Sequence, residues 1–171
     1  MNEEWYAIRT RHEQKAERQL SEICSDLLVP RETIQTEERR RRSRWLIPHV
    51  LFVKTTPDKL LEFERKGREC PEMNVPIWIY RYPKDNSIQK IPESSIHLLR
   101  LLSSDDTTRC EIYHNTEFRA NQKVRVTSGP FQGYEGHVVR VRKNKHVAVR
   151  IEGVCMVLLP FIHPSLLTPM S

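Results

Sequence analysis

The spacing of apolar residues near the N-terminus predicts a strand followed by a helix. Residues 5–8 form a short apolar run with aromatic content, which is typical of a strand. Thr10 and Glu13 have the spacing of a capping box, and apolar residues then recur every three or four positions as far as Leu27. We therefore expect one strand and then a helix that ends before Pro30.

The next segments predict a hairpin with an arginine-rich tip. Segment 33–40 is polar but compatible with a strand, segment 45–55 is strongly strand-like, and five arginines lie within 39–44 between them. Strand faces alternate, so Val50 and Phe52 share one face of the second strand, and the opposite face is also apolar. Such a strand is either buried on both sides or leaves an apolar face for a partner.

Three further elements complete the first hundred residues. Segment 57–66 predicts a short helix, segment 75–82 predicts an apolar strand, and Pro92 is placed to open a last helix. The order β-α-β-β-α-β-α predicts an α+β fold, in which helices pack on an antiparallel sheet.

The C-terminal part has a different pattern. Over residues 122–159 valine and isoleucine alternate with mostly basic residues, and the polar segments 142–145 and 152–153 read as turns. Four to five short strands in about fifty residues predict a small SH3-like β-barrel. Segment 103–116 has no clear apolar period and is rich in Ser, Asp and Thr. We therefore predict a domain over 1–103, a flexible linker over 104–118 and a barrel domain over 119–171.

A glycine-rich loop is the most distinctive part of the predicted barrel. Three of the five glycines in the chain lie within segment 129–136, so this loop between two strands needs backbone angles that other residues disfavour. Phe131 and Tyr134 flank Gly133 and are expected to stand out from the loop. Alternatively, Phe131 covers the core of the barrel.

Charge permits nucleic acid as a partner without requiring it. The chain of 171 residues carries a net charge of +6. The first 105 residues are nearly balanced, with 19 basic and 17 acidic residues, whereas residues from 121 onward include seven basic and two acidic ones. Such a balance suits nucleic acid or an acidic surface.

Several classes of protein are disfavoured by the sequence. No apolar run approaches the 18 or so residues of a membrane span, and the acidic N-terminus does not resemble a signal peptide. The four cysteines are 40 or more residues apart and the histidines match no ligand spacing, so no metal, disulfide or cofactor is expected. No nucleophile constellation, carboxylate pair or phosphate loop suggests an enzyme. We expect a non-enzymatic, cytoplasmic protein, as a monomer.

Two segments resemble a known family. Segment 128–136 resembles a KOW motif, and residues 5–6 together with segment 47–53 resemble the signature of a NusG N-terminal domain. Ile91 and Pro92 at the start of the last helix also fit. The resemblance covers nearly the whole chain in the order N-terminal domain, linker and KOW barrel, and it identifies a NusG-family transcription elongation or antitermination factor.

Departures from the family pattern favour a specialised member. The aromatic-Pro-Gly-Tyr of the family is replaced here by Ile47, Pro48, His49 and Val50. The chain is most similar to the UpxY-type antiterminators of capsular or exopolysaccharide operons, among specialised paralogues that also include the LoaP and RfaH types. The His-Thr-Thr run by which RfaH reads DNA is missing near 61–63, so any DNA recognition uses other residues.

The resemblance implies partners and contact residues. The N-terminal domain is expected to bind the clamp helices of the largest RNA polymerase subunit and to suppress pausing and termination. The expected polymerase contacts are Ile47, Val50, Phe52 and Trp78. Non-template DNA or nascent leader RNA is the second expected partner. Its expected contacts are Arg11, Arg39, Arg40, Arg41, Arg42 and Arg44, although the cluster can equally be a solvated hairpin tip.

The KOW domain is expected to recruit other machinery, such as a ribosomal protein or a termination factor. Its expected contacts are Gly129, Phe131, Gly133, Tyr134, Arg140, Arg142, Lys143 and Lys145. The dense alternation of valines favours a permanent barrel over a domain that switches to helices. Two alternatives remain open from the sequence: a general NusG-type elongation factor, and a KOW-containing RNA- or ribosome-binding protein with no polymerase role.

Overall fold

The computed structural model describes residues 2–35, 41–104, 111–113, 122–141 and 143–170. Within these ranges the side chains of 32–35, 41–44, 104 and 111 are not described. The chain divides into two compact units, Met1–Ser104 and Asp105–Ser171.

The first unit is built on a five-stranded antiparallel sheet. Its strands run in the order β2-β5-β1-β6, and β7 also pairs with β1. A separate pair of strands, β3 and β4, forms a two-stranded antiparallel sheet. The strands are β1 (Glu4–Arg9), β2 (Asp26–Leu28), β3 (Arg31–Gln35), β4 (Arg41–Trp45), β5 (Val50–Thr55), β6 (Trp78–Ile79) and β7 (Lys90–Ile91). The helices are α1 (Glu13–Leu20), α2 (Pro57–Glu69) and α3 (Glu93–Ser104). The predicted α+β class is confirmed.

One face of the five-stranded sheet packs against α1 and α2. Strands β1 and β5 direct alternate side chains to this face, including Tyr6 and Leu51. They join one buried cluster with Leu20 of α1 and with Leu60 and Phe63 of α2. The sheet therefore covers the apolar stripe of each helix, and this burial is the main contribution to the stability of the helices.

The opposite face of the same sheet lies against α3. Trp5 donates its indole N–H to Glu93 at 3.2 Å, and Lys54, which is paired with Trp5 across the strands, lies 3.4 Å from the same carboxylate. Arg100 reaches Asp26 on the neighbouring strand at 2.6 Å. Because helices lie on both sides, the two-sided apolar strand predicted from the sequence is a core strand.

Several predicted elements differ from the structure. Helix α1 ends at Leu20, because the chain turns and enters β2, so the helix predicted as far as Leu27 is too long. The capping box is also wrong: His12 precedes the helix without a side-chain cap, and Thr10 instead accepts the His12 N–H and donates to the carbonyl of Pro76.

The remaining corrections concern strands. Of the strand predicted over 45–55, Trp45 is the last residue of β4, residues 46–49 form a turn, and only residues 50–55 form a strand, β5. Only Trp78–Ile79 of the predicted strand 75–82 is a strand. Part of the predicted linker over 104–118 is also wrong, because Ser104 ends α3 and residues 111–113 form a strand.

The second unit contains a six-stranded antiparallel sheet. Its order is β13-β9-β10-β11-β12-β8, so the strand from the predicted linker pairs with β12. Val124, Val126, Val147 and Ile151 are buried. The strands are β8 (Glu111–Tyr113), β9 (Lys123–Val126), β10 (Glu135–Val141), β11 (Asn144–Ile151), β12 (Cys155–Leu158) and β13 (Leu167–Pro169), with a 3-10 turn at Pro164–Leu166.

Candidate partner-binding surfaces

Three of the four residues expected to contact polymerase are buried. The exposed fractions of Ile47, Val50 and Phe52 are 0%, 2% and 0%. Val50 and Phe52 point to the sheet face on which α3 lies, and they pair with Arg9 and Ala7 of β1. The expectation that this face stays open for a partner is therefore wrong. In this structure these three side chains belong to the core beneath the surface, so they support the exposed residues and are not accessible to a partner themselves.

The turn that precedes β5 is exposed and has an unusual backbone. His49 has a φ of 69°, a left-handed conformation that costs most residues about 1 kcal/mol or more. Its ring Nδ1 lies 2.5 Å from Glu13 at the start of α1, and its carbonyl accepts the N–H of Thr10. These contacts stabilise the left-handed backbone of His49 at a position where the NusG-like pattern has glycine. Pro48 and His49 are both exposed, whereas their neighbours Ile47 and Val50 are buried.

Trp78 is the one expected polymerase contact that the structure leaves on the surface. Half of it is exposed, at 51%. The Arg11 guanidinium lies over its ring, with 6.0 Å between the guanidinium carbon and the ring centroid. Arg9 is paired with Trp78 across the antiparallel strands and is also exposed. Side chains directly opposite each other share a face, so Arg9, Arg11 and Trp78 form one surface, the Trp78 corner.

A partly buried ion pair holds the strand that carries Trp78. Glu64 of α2 accepts the Ile79 N–H at 3.1 Å and lies 2.9 Å from the Arg81 guanidinium. Burial alone raises the pKa of Glu64, but hydrogen bonds from Arg81 and from the Ile79 N–H lower it below its ordinary value overall. Sequence reasoning missed Glu64, because nothing in the local pattern of α2 marks this carboxylate as buried.

The arginine cluster is only partly at the tip of a hairpin. Arg41, Arg42 and Arg44 lie in β4 and pair with β3, so for these three the predicted tip position is wrong. Arg39 and Arg40 lie outside the described residues. The base of the hairpin is fixed by Arg31, which lies over the Trp45 ring at 5.2 Å and bonds Glu17 at 3.0 Å.

The glycine-rich loop of the second unit has the backbone that the sequence predicts. Gly129 and Gly133 have φ values of 89° and 90°, in the left-handed region. Phe131 is only 5% exposed, so it belongs to the core, and the expectation that it stands out is wrong. Tyr134 is half-buried, and this burial raises its pKa.

The expected basic face of the second unit is present in part. Arg140 and Lys145 are directly opposite each other on β10 and β11, and both are exposed. Lys143, also exposed, adopts a φ of 71° in the turn between these strands. Like charges placed opposite each other repel unless an anion neutralises them. Arg142 lies outside the described residues.

A groove that sequence reasoning missed lies next to Lys145. Its volume is about 350 Å³, and Phe161 at its edge is 67% exposed. The other lining residues are mainly apolar: Gln122, Val124, Val138, His146, Val147, Ile162, Pro164, Leu167 and Pro169. Phe161 follows the last long strand in a segment without clear periodicity, so only its position in the fold marks it.

Among the described residues there is no group of three or more His, Cys, Asp or Glu side chains that could hold a metal ion. Within the same ranges, no helix is long and apolar enough to cross a membrane.

These features define a two-unit α+β protein whose candidate sites are binding surfaces. The sequence model of the NusG family, described as transcription termination factor nusG, matches residues 3–100, which is more than half of the chain. The chain belongs to the NusG family. A comparison with curated proteins finds no match. Members of this family are non-enzymatic transcription elongation and antitermination factors that bind RNA polymerase.

Proposed function

We propose that this protein is a specialised antitermination factor of the UpxY type. Its first unit binds the clamp helices of the largest RNA polymerase subunit and suppresses pausing and termination on particular capsular or exopolysaccharide operons. The observation that carries this proposal is the family match over residues 3–100, which falls on the first compact unit. Replacement of both family aromatics, by Ile47 and Val50, favours the specialised role over the general one.

The exposed turn at Pro48 and His49 is the proposed polymerase contact. Ile47 and Val50 on either side of it are buried, so the turn is anchored at both ends. A rigid exposed turn loses little conformational entropy on binding, which favours affinity. The role of Ile47, Val50 and Phe52 is then indirect: they fix the position of this turn.

The second unit is the proposed KOW barrel, which recruits a ribosomal protein or a termination factor. Because Phe131 is buried, the proposed partner-binding site of this unit is the groove beside Phe161. The exposed basic residues Arg140, Lys143 and Lys145 form an electrostatic face near this groove. An exposed aromatic residue beside an apolar groove is a typical anchor for a protein partner.

The central experiment is transcription in vitro by polymerase from the same organism. The template carries the leader of the neighbouring operon and a terminator, and a matched template carries an unrelated leader. We expect the protein to raise read-through of the terminator on the first template only. His49→Asp should raise read-through less than the wild type does, whereas the control Arg68→Gln, an exposed change on α2, should act like the wild type. Equal read-through on both templates would indicate a general factor. No effect together with no co-purification of polymerase would favour the RNA- or ribosome-binding alternative.

The second unit is tested separately. Phe161→Ala removes an exposed ring, so we expect the unit to stay folded, with unchanged dispersion of its amide NMR signals. Binding to ribosomal small subunits or to the termination factor, measured by co-sedimentation, should fall about tenfold or more. Met73→Ala, which removes an equally exposed apolar side chain from the first unit, is the control. Unchanged binding to both partners would reject the groove as the recruiting site.

A further inference from the structure

All three tryptophans of the chain have an arginine over the ring. The distances from guanidinium carbon to ring centroid are 5.6 Å for Arg100 over Trp5, 5.2 Å for Arg31 over Trp45 and 6.0 Å for Arg11 over Trp78. The three pairs look equivalent in this respect. They differ in how far the tryptophan is exposed and in what else the arginine contacts.

Two of the pairs are structural. Trp5 is only 3% exposed, and Arg100 over its ring also bonds Asp26 at 2.6 Å. Trp45 is half-buried, and Arg31 over its ring bonds Glu17 at 3.0 Å. In both pairs a carboxylate neutralises the arginine, so the cation adds packing and orientation without attracting an anion.

The Trp78 corner differs from these two pairs both in the exposure of its tryptophan and in the ion pairing of its arginine. Trp78 is 51% exposed, and Arg11 forms no ion pair with any residue that the structure describes. Arg9, opposite Trp78 on β1, is likewise unpaired within the described ranges. The acidic residue nearest in sequence, Glu13, is bonded to His49. An exposed aromatic ring therefore lies beside two arginines that no described carboxylate neutralises.

We propose that the Trp78 corner is a stacking site for an unpaired base of single-stranded nucleic acid. The Trp78 ring would stack on the base, and Arg9 and Arg11 would contact the adjacent phosphates. Every base has a π-face, and arginine pairs with phosphate while also stacking on aromatic rings. An exposed tryptophan alone would fit a protein partner equally well, but the two unneutralised cations favour a polyanion. This assignment replaces the polymerase contact that the sequence suggests for Trp78, and it goes beyond the proposed function, which assigns no residue to nucleic acid.

The surroundings of Trp78 make the site rigid. The neighbouring Ile79 N–H is held by the buried Glu64 carboxylate, and Ile79 pairs with Ile8 of β1. Strand β6 therefore presents the ring from a fixed backbone, and less entropy is lost when a base stacks on it.

The test measures binding of the whole protein to fluorescent twelve-nucleotide single-stranded DNA by anisotropy, over a salt series and without polymerase. A matched oligonucleotide with abasic sites has the same phosphates but no bases. We expect Trp78→Ala to weaken binding about tenfold with an unchanged salt slope, and Trp78→Phe to restore most of it. Arg11→Gln should reduce the salt slope by about one, while Arg68→Gln on α2 should have a smaller effect. The abasic oligonucleotide should bind the wild-type protein as weakly as the normal one binds Trp78→Ala.

Three results would overturn the proposal. The first is equal affinity of wild-type protein and Trp78→Ala for the normal oligonucleotide. The second is loss of polymerase co-sedimentation by Trp78→Ala with DNA binding intact, which would make Trp78 a protein contact. The third is no binding of wild-type protein to any oligonucleotide even at low salt, which would also contradict the nucleic-acid partner that the family resemblance implies. The transcription assay with His49→Asp tests the polymerase part independently, so the two failures are distinguishable.

Discussion

The two units of this protein use aromatic and apolar residues in the same way. In the first unit the motif residues Val50 and Phe52 are buried, and the exposed aromatic residue is Trp78 on another strand. Among the described residues of the second unit the motif residue Phe131 is buried, and the exposed aromatic residue is Phe161, in a segment outside the motif. In both units the motif residues form the buried framework of the sheet, here called the frame. The exposed aromatic residue that a partner could contact lies outside the motif.

This parallel has a simple physical cause. A small unit must bury most of its large apolar side chains to be stable, and the centre of a sheet is where they are most completely buried. A short motif that sets the sheet and its turns therefore tends to contain core residues. Exposed aromatic residues need no particular periodicity, so a motif does not capture them.

The largest expected effect is on the frame of the first unit. Phe52→Ala should lower its free energy of unfolding by about 3–5 kcal/mol, because it leaves a cavity in the core. All three tryptophans lie in this unit, so its unfolding can be followed by tryptophan fluorescence in urea. Trp78→Phe, the control, should change stability by less than about 0.5 kcal/mol. A Phe52→Ala protein as stable as the wild type, but unable to bind polymerase, would show that Phe52 is a contact residue after all.

A somewhat smaller effect is expected on the frame of the second unit. In Gly136→Ala the new Cβ would lie 2.9 Å from Val147 Cγ1 and closer still to the Ala148 carbonyl oxygen, both on the paired strand. We expect a loss of about 2–3 kcal/mol, measured by hydrogen exchange of the β10 and β11 amides. Gly129→Ala, which has open space but a positive φ, should cost about 1 kcal/mol. Equal costs at the two glycines would mean that backbone angle, and not close packing, limits this unit.

The smallest of the three effects depends on pH. Glu64→Gln should cost about 2 kcal/mol at neutral pH, because the buried charge that faces Arg81 is lost. The folded-state pKa of Glu64 lies below its ordinary value of 4.5, so its contribution is present above that pH and is lost as the pH falls below 4.5. Urea unfolding at several pH values should show that the difference between wild type and Glu64→Gln narrows in acid. A constant difference down to the acid limit would contradict this account.

Much of the architecture was predictable from periodicity. The first strand, helix α2 and the α+β class follow from apolar spacing, and the turn glycines of the second unit follow from their density. Apolar spacing overestimates the length of helix α1, because Ile23 and Leu27 continue the helical spacing after the chain has turned. In the structure both pack against the same buried cluster, Ile23 from the turn and Leu27 from strand β2, so core contacts alone do not reveal where the helix ends.

The candidate sites were less predictable than the fold. The sequence marks Trp78 and Arg11 separately, and only strand pairing brings them together with Arg9. Phe161 was missed because exposure depends on what packs nearby, which a local pattern does not contain. Burial of Val50 and Phe52 depends on helix α3, more than forty residues further along the chain.

The separate two-stranded sheet of β3 and β4 has a consequence for local opening. Two strands alone are marginally stable in water, and among the residues that the structure describes this pair bonds to neither larger sheet and packs mainly against α3 through β3. Its amides should therefore exchange with solvent through opening events that cost far less than global unfolding. Because the contact between Arg31 and Trp45 fixes the base, we expect such opening at the far end of the pair, at Gln35 and Arg41. A polyanion that binds at this end would slow hydrogen exchange of its amides first. The exchange rate of the β3 and β4 amides would therefore show whether a polyanion is bound.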